Sequence, residues 1–117
     1  MKKTNPSSSS KTNNEKYLYL TTQGRSSGLP REIEIWFTAF DDRLYIIAEY
    51  ETSNWVKNVK ACPEVKVRVG GEAFAGTARI ISGASEPDLN ARIQSLSREK
   101  YGWGDGLVVE ITPKPGD

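Results

Sequence analysis

The sequence predicts a mainly β domain with two helices, a closed or half-closed antiparallel barrel of six strands, and three observations carry that prediction. Short segments rich in β-branched and aromatic residues alternate apolar with polar side chains, the period of a half-buried strand. Turn residues join most of them at hairpin spacing. Two other segments carry apolar residues at helical spacing, so the element order is β, β, β, α, β, β, α, β. Many short strands of this kind bury their apolar faces best by closing around a core.

Taken in order, residues 1–14 (MKKTNPSSSSKTNN) hold no apolar side chain after Met1. Burial cannot offset the entropy of ordering them, so a disordered tail is expected, followed by a single domain over residues 15–114. Lys16–Thr22 (KYLYLTT) is the first strand, and the loop Thr21–Arg31 follows it. Glu32–Phe40 alternates cleanly, with Ile33, Ile35 and Phe37 on one face and Glu32, Glu34 and Trp36 on the other. Asp41-Asp42 marks a tight turn that pairs this strand with Arg43–Tyr50 as a hairpin. Thr52-Ser53-Asn54 offers N-caps for a helix that Pro63 ends, with Trp55, Asn58 and Val59 on one face. Glu64–Val69 and Phe74–Ser82 form a second hairpin through Gly70-Gly71. Ser85-Glu86-Pro87-Asp88 has the Ser-x-x-acid spacing of a helix start, and Leu89, Ile93 and Leu96 give that helix its apolar stripe to about Lys100. The glycine-interrupted aromatic loop Tyr101–Gly106 leads to the last strand, Leu107–Thr112, and a Pro/Gly tail.

Composition removes several function classes. Across 117 residues, 16 Lys and Arg stand against 15 Asp and Glu, so overall charge argues neither for nucleic acid nor for an anionic membrane. There is no histidine and one cysteine, Cys62, which excludes disulfide frameworks, Cys/His zinc sites and histidine triads. No carboxylates cluster at metal-ligand spacing, so no metal site is expected. Cys62 is expected to be a small buried filler, since no group titrating near neutral pH is there to activate it. Without an 18-residue apolar run or a hydrophobic leader, the chain is expected to be soluble and cytoplasmic.

The loop Thr21–Arg31 (TTQGRSSGLPR) concentrates the unusual residues. Gly24 and Gly28 allow sharp turns that present N–H groups, the serines and threonines add hydroxyls, and Arg25 and Arg31 bracket the stretch with positive charge. Two readings stand: ordinary hairpin punctuation, or a cradle for an anion. The loop opens into a strand, which excludes the dinucleotide fingerprint and the Walker loop, both of which open into a helix. Trp36, between two carboxylates on the outer face, either floors a groove or is a rim tryptophan covered by a neighbouring loop. Trp55 and Asn58 either form a ligand face or simply anchor their helix.

These residues carry a resemblance over about Tyr17 to Pro113. Leu20-Thr21-Thr22-x-Gly24-Arg25-x-Ser27-Gly28-x-Pro30-Arg31, then Trp36-Phe37, then Trp55-x-x-Asn58-x-x-Ala61-x-Pro63-x-Val65-x-Val67, resembles the deazaflavin-dependent nitroreductase family. The resemblance implies a split β-barrel like that of the flavin-binding pyridoxamine-phosphate oxidases, and the cofactor coenzyme F-420, an 8-hydroxy-5-deazaflavin with a ribityl phosphate and glutamate tail. It implies hydride delivery to small-molecule acceptors such as nitroaromatics, quinones or polarised C=C bonds. By position, Arg25, Ser26, Ser27, Gly28, Pro30 and Arg31 match the phosphate loop, Trp36 the aromatic against the cofactor, Trp55 and Asn58 the second contact motif. Tyr101 falls in the substrate-side tyrosine region, as proton source, lid or packing residue.

Two departures stand out. Ser26 replaces a lysine common in the family's loop, and Ala48–Asn54 is short and carries Glu49 and Glu51. Carboxylates near an anionic tail would repel it, which keeps FMN open as the alternative cofactor and a non-catalytic flavin carrier as the alternative function. Split barrels often pair, so a homodimer is within the expectation.

Overall fold

The computed structural model describes residues 15–114, so the expected disordered tail and residues 115–117 lie outside the described residues. Seven strands form one antiparallel sheet: β1 (Tyr17–Gln23), β2 (Pro30–Trp36), β3 (Thr38–Phe40), β4 (Arg43–Ala48), β5 (Glu64–Val69), β6 (Glu72–Ile81) and β7 (Leu107–Pro113). Helix α1 (Asn54–Ala61) lies between β4 and β5, and α2 (Pro87–Tyr101) between β6 and β7. Across the sheet the order is β2-β1-β5-β6-β7-β4-β3.

The seventh strand corrects the sequence reading. Glu32–Phe40 is not one strand: it breaks at Phe37, and its halves pair at opposite edges of the sheet. β2 pairs with β1, setting Ile35 opposite Leu18 and Ile33 opposite Leu20. β3 pairs with β4, setting Thr38 opposite Tyr45, so the hairpin across Asp41-Asp42 involves only the second half. Both aspartates have positive φ, 54° and 64°, as a tight hairpin turn needs. A chain that crosses from one edge to the other must curl the sheet, and β2 comes to lie against β4. The result is a half-barrel split where those strands meet.

Alternation then sorts the side chains. Leu18, Leu20, Leu44, Ile46, Val65, Val67, Val109 and Ile111 point inward and pack with Trp55, Val56 and Val59 of α1. On the outer face Tyr45, Ile81 and Val108 pack under Ile93 of α2. Burying this much apolar area is the main stabilising term. Glu110 is also buried there, accepting from the Tyr45 hydroxyl at 2.8 Å and from Arg79 Nε at 3.1 Å. Arg79 reaches on to Glu86 with two further bonds, 2.6 and 3.2 Å. That clasp explains a second correction: α2 begins after Glu86, not with a Ser85 cap, and the Glu86 carboxylate is turned to Arg79. Cys62 is half-exposed and not buried, its thiol 3.4 Å from Gln23 Oε1.

Candidate functional site

The loop between β1 and β2 is folded on itself. Gly24 N–H donates to Leu29 O and Gly28 N–H to Gly24 O, both at 2.8 Å, while Leu29 N–H donates to Ser27 Oγ at 3.1 Å. A Cβ on Gly24 would stand 2.7 Å from Ser27 Oγ and 3.2 Å from Leu29 O, and Gly28 has φ 74°. The left-handed backbone at Gly28 favours glycine, while a side chain at position 24 would displace the Ser27 hydroxyl and crowd the Leu29 carbonyl. Helix α1 fixes the loop from below. Asn58, 5% exposed, accepts through Oδ1 from Arg25 N–H (3.1 Å) and Arg25 Nη1 (2.9 Å) and donates through Nδ2 to Thr22 Oγ1 (3.1 Å). Arg25 Nη2 adds a bond to Asn54 at 3.3 Å. Both acceptor sites of the carboxamide oxygen and one of its two N–H donors are thus committed to Arg25 and Thr22.

What this tie leaves over is informative. Among the described residues the Arg31 guanidinium makes no hydrogen bond or ion pair, and neither do the N–H groups of Ser26 and Ser27 or the Ser26 hydroxyl. These groups border a cavity of about 700 Å³ whose walls include Thr22, Gly24, Arg25, Pro30, Trp55 and Asn58. Its single acidic lining residue, Glu32, is held by Arg68 at 3.3 Å. The donor set suits a phosphate or carboxylate.

Trp55, 9% exposed, also borders a second cavity of about 530 Å³ at the split between β2 and β4. Trp36, Trp103, Tyr50, Tyr17 and Ile35 wall it, with Glu34 and Glu49 as its charged lining. Trp36 is 38% exposed, and one face of its indole is stacked on Tyr101, centroids 4.4 Å apart and planes 4° from parallel. The Tyr101 hydroxyl accepts from Phe37 N–H at 3.1 Å and lies 2.8 Å from Phe37 O and 2.6 Å from Lys16 O. Lys100 Nζ also donates to Phe37 O, at 2.9 Å, and stands 3.9 Å over the Phe37 ring. Burial pushes the Tyr101 hydroxyl pKa up and the Lys100 ammonium down to about 8, Glu15 opposing the latter. The residue at which β2 gives way to β3 thus finds in α2 the partners it lost from the sheet ladder.

Seven of the nine residues matched to cofactor contacts, Arg25, Ser26, Ser27, Pro30, Arg31, Trp55 and Asn58, meet at the first cavity. Gly28 shapes the loop from its other side, and Trp36 belongs to the second cavity. Tyr101 lines neither, standing behind Trp36. Glu51 is away from the loop, 4.0 Å from Lys60. The sequence reading missed Trp103 and Tyr50. The available signals were an aromatic residue just past an apolar strand, Tyr50, and a tryptophan between two glycines, Trp103; in the fold β4 stops at Ala48 and Tyr50 is 63% exposed. Among the described residues no group of metal-ligating side chains occurs, and no helix is long and apolar enough to cross a membrane.

A curled antiparallel sheet with an internal helix, a split edge and a cavity at that split defines a split barrel of the flavin-binding type. Solved structures share it. A chain described as an F420-H2 dependent reductase, FDR-A, superposes with a TM-score of 0.66 at 22% identity, over 85% of this chain and 94% of that one. A putative pyridoxamine 5'-phosphate oxidase from Listeria innocua gives 0.74 at 16%, over 95% and 94%. A chain described as a domain-swapped dimer gives 0.66 at 22%, over 85% and 80%. At such identities the likeness is one of fold. The family comes from sequence: residues 1–104 match the model of the F420H(2)-dependent quinone reductase family, and the chain belongs to it. No curated relative matches.

Proposed function

We propose that the protein is an oxidoreductase that passes a hydride from reduced coenzyme F-420 to an activated small-molecule acceptor: a quinone, a nitroaromatic or an enone. The observation that carries this reading is the pair of cavities sharing Trp55, one edged by unpaired anion donors and one walled by aromatic rings. A ligand with an anionic tail and a flat ring system fits both, tail against Arg31, Ser26 and Ser27, ring toward Trp36 and Trp55. When bound, the reduced coenzyme supplies the hydride; a quinone that takes it up with one proton from solvent becomes the hydroquinone. Arg31 and the loop N–H groups bind and orient the tail. The aromatic walls align flat rings and exclude water. Asn58 and Arg25 hold the loop in place, and Tyr101 holds Trp36 while its hydroxyl is bonded to backbone.

The test is titration of oxidised coenzyme with purified protein, then turnover with reduced coenzyme and a panel of quinones and nitroaromatics. Quenched coenzyme fluorescence and loss of reduced-coenzyme absorbance support the reading; no quenching at about 50 μM protein overturns it. Binding without turnover selects a carrier. FMN is the second reading, favoured by Ser26, which leaves the loop one cation fewer than its relatives, and protein that purifies yellow with a flavin spectrum would select it.

A further inference from the structure

The two cavities that share Trp55 differ in sign. The loop cavity has Arg25 and Arg31 on its wall, and its one carboxylate, Glu32, is already paired with Arg68. The aromatic cleft has no arginine or lysine on its wall, and its charged residues are Glu34 and Glu49. Glu34 is exposed, accepts the Tyr19 hydroxyl at 2.6 Å and makes no ion pair among the described residues; the Arg68 guanidinium, 4.2 Å over the Tyr19 ring, is bonded to Glu32. Glu49 is exposed at the mouth, next to Tyr50, and has no ion pair among the described residues. An occupant seated between the rings of Trp36, Trp55 and Trp103 displaces water from the cleft, and carboxylates at its edge then act on it more strongly than in bulk solvent.

We propose that Glu34 and Glu49 make the aromatic cleft a charge filter: it takes flat aromatic acceptors that are uncharged or cationic and rejects those bearing a sulfonate or carboxylate. The aromatic walls supply affinity to any flat ring, so the discrimination is mostly repulsive. This deepens the reductase reading by naming its acceptor class, and a binding measurement without coenzyme lets the two fail separately. The negative cleft also complements the positive loop. An anionic tail is steered to Arg31, and an anionic acceptor is kept from lodging where the rings belong.

The experiment uses the full chain without coenzyme and three naphthoquinones of the same ring: uncharged, sulfonated, and carrying a trimethylammonium group. Quenching of tryptophan fluorescence reports binding. The uncharged and cationic quinones should bind, and the sulfonate at least about tenfold more weakly. Added salt should narrow the gap. Glu34→Gln with Glu49→Gln, checked for an unchanged melting temperature, should raise sulfonate affinity relative to the uncharged ring by about tenfold. Equal affinities in the unaltered protein, or a gap that the double substitution leaves intact, overturn the filter. Failure of all three to bind also overturns it, while coenzyme quenching in the same preparation would leave the reductase reading standing. If the double variant melts early, Glu49→Gln alone, at an exposed position, decides.

Discussion

At its first residues β2 presents the Arg31 side chain to the loop cavity with no partner among the described residues, whereas just past its last residue the Phe37 backbone has both polar groups taken. The two ends lie on one strand and both adjoin a cavity. Buried polar groups left without partners cost stability, so a fold keeps them satisfied unless they serve a ligand. Arg31, Ser26 and Ser27 stand at an exposed rim, where water can satisfy them. Tyr101 and Lys100 sit against a strand break and act as support.

The sharpest way to break that division is at Tyr101. Tyr101→Ala removes a stacked ring and the partner of Phe37 N–H, and should cost about 3 kcal/mol, read as a lower melting temperature together with a changed Trp36 fluorescence. Tyr101→Phe keeps the stack and should cost about 1 kcal/mol. If Tyr101→Phe melts normally yet abolishes turnover, the hydroxyl is a proton donor and the supporting role fails.

Asn58 comes next, because it looks like a site residue and is bonded like a structural one. Asn58→Ala strands Arg25 N–H, its guanidinium and the Thr22 hydroxyl, with an expected loss of about 2 kcal/mol and faster proteolysis within residues 24–29. Arg31→Ala is the opposite case. Its stability should stay within about 0.5 kcal/mol of the parent while coenzyme affinity falls about tenfold or more. Equal melting losses for the two variants would erase the distinction between the loop's support and its binding edge.

This contrast shows what was legible in the sequence. Alternation placed Ile33, Ile35 and Phe37 on the inner side, and they are inward, but alternation reports facing and says nothing of pairing. The period of two runs unbroken through Phe37 while its hydrogen-bond partners change edges, so the break was invisible and a single strand was read. Spacing brought Trp55 and Asn58 to one helix face, and the glycines announced the loop. That Asn58 spends all its bonds on the loop depends on a contact 33 residues away. Trp36 stacked on Tyr101 is likewise a product of tertiary packing, and no local pattern encodes it.

Lys100 gives a smaller, pH-dependent effect at the support end. Burial lowers its folded pKa to about 8, below the unfolded value, so between these two pH values the unfolded state binds more protons and stability rises with pH. Glu15 opposes the shift, and Tyr101, whose pKa is raised, turns the trend downward once unfolded tyrosines ionise. Lys100→Met, which keeps packing over the Phe37 ring, should flatten the rise between about pH 8 and 10. Parallel melting curves for parent and variant would mean that Lys100 is solvated when folded.

The smallest expected effect lies at the binding end, at Ser26. It borders the loop cavity, its hydroxyl and N–H make no hydrogen bond among the described residues, and the sequence resemblance sets it against a lysine. Ser26→Lys restores one positive charge. The new side chain is long, exposed and loses rotamer freedom on engaging an anion, so the gain should be only about threefold in coenzyme affinity, confined to low salt. Melting temperature should not move. A tightening that persists at high salt would come from packing and not from charge. No tightening would mean that position 26 points away from the anion, and the cradle would then reduce to Arg31 with the loop N–H groups nearest it.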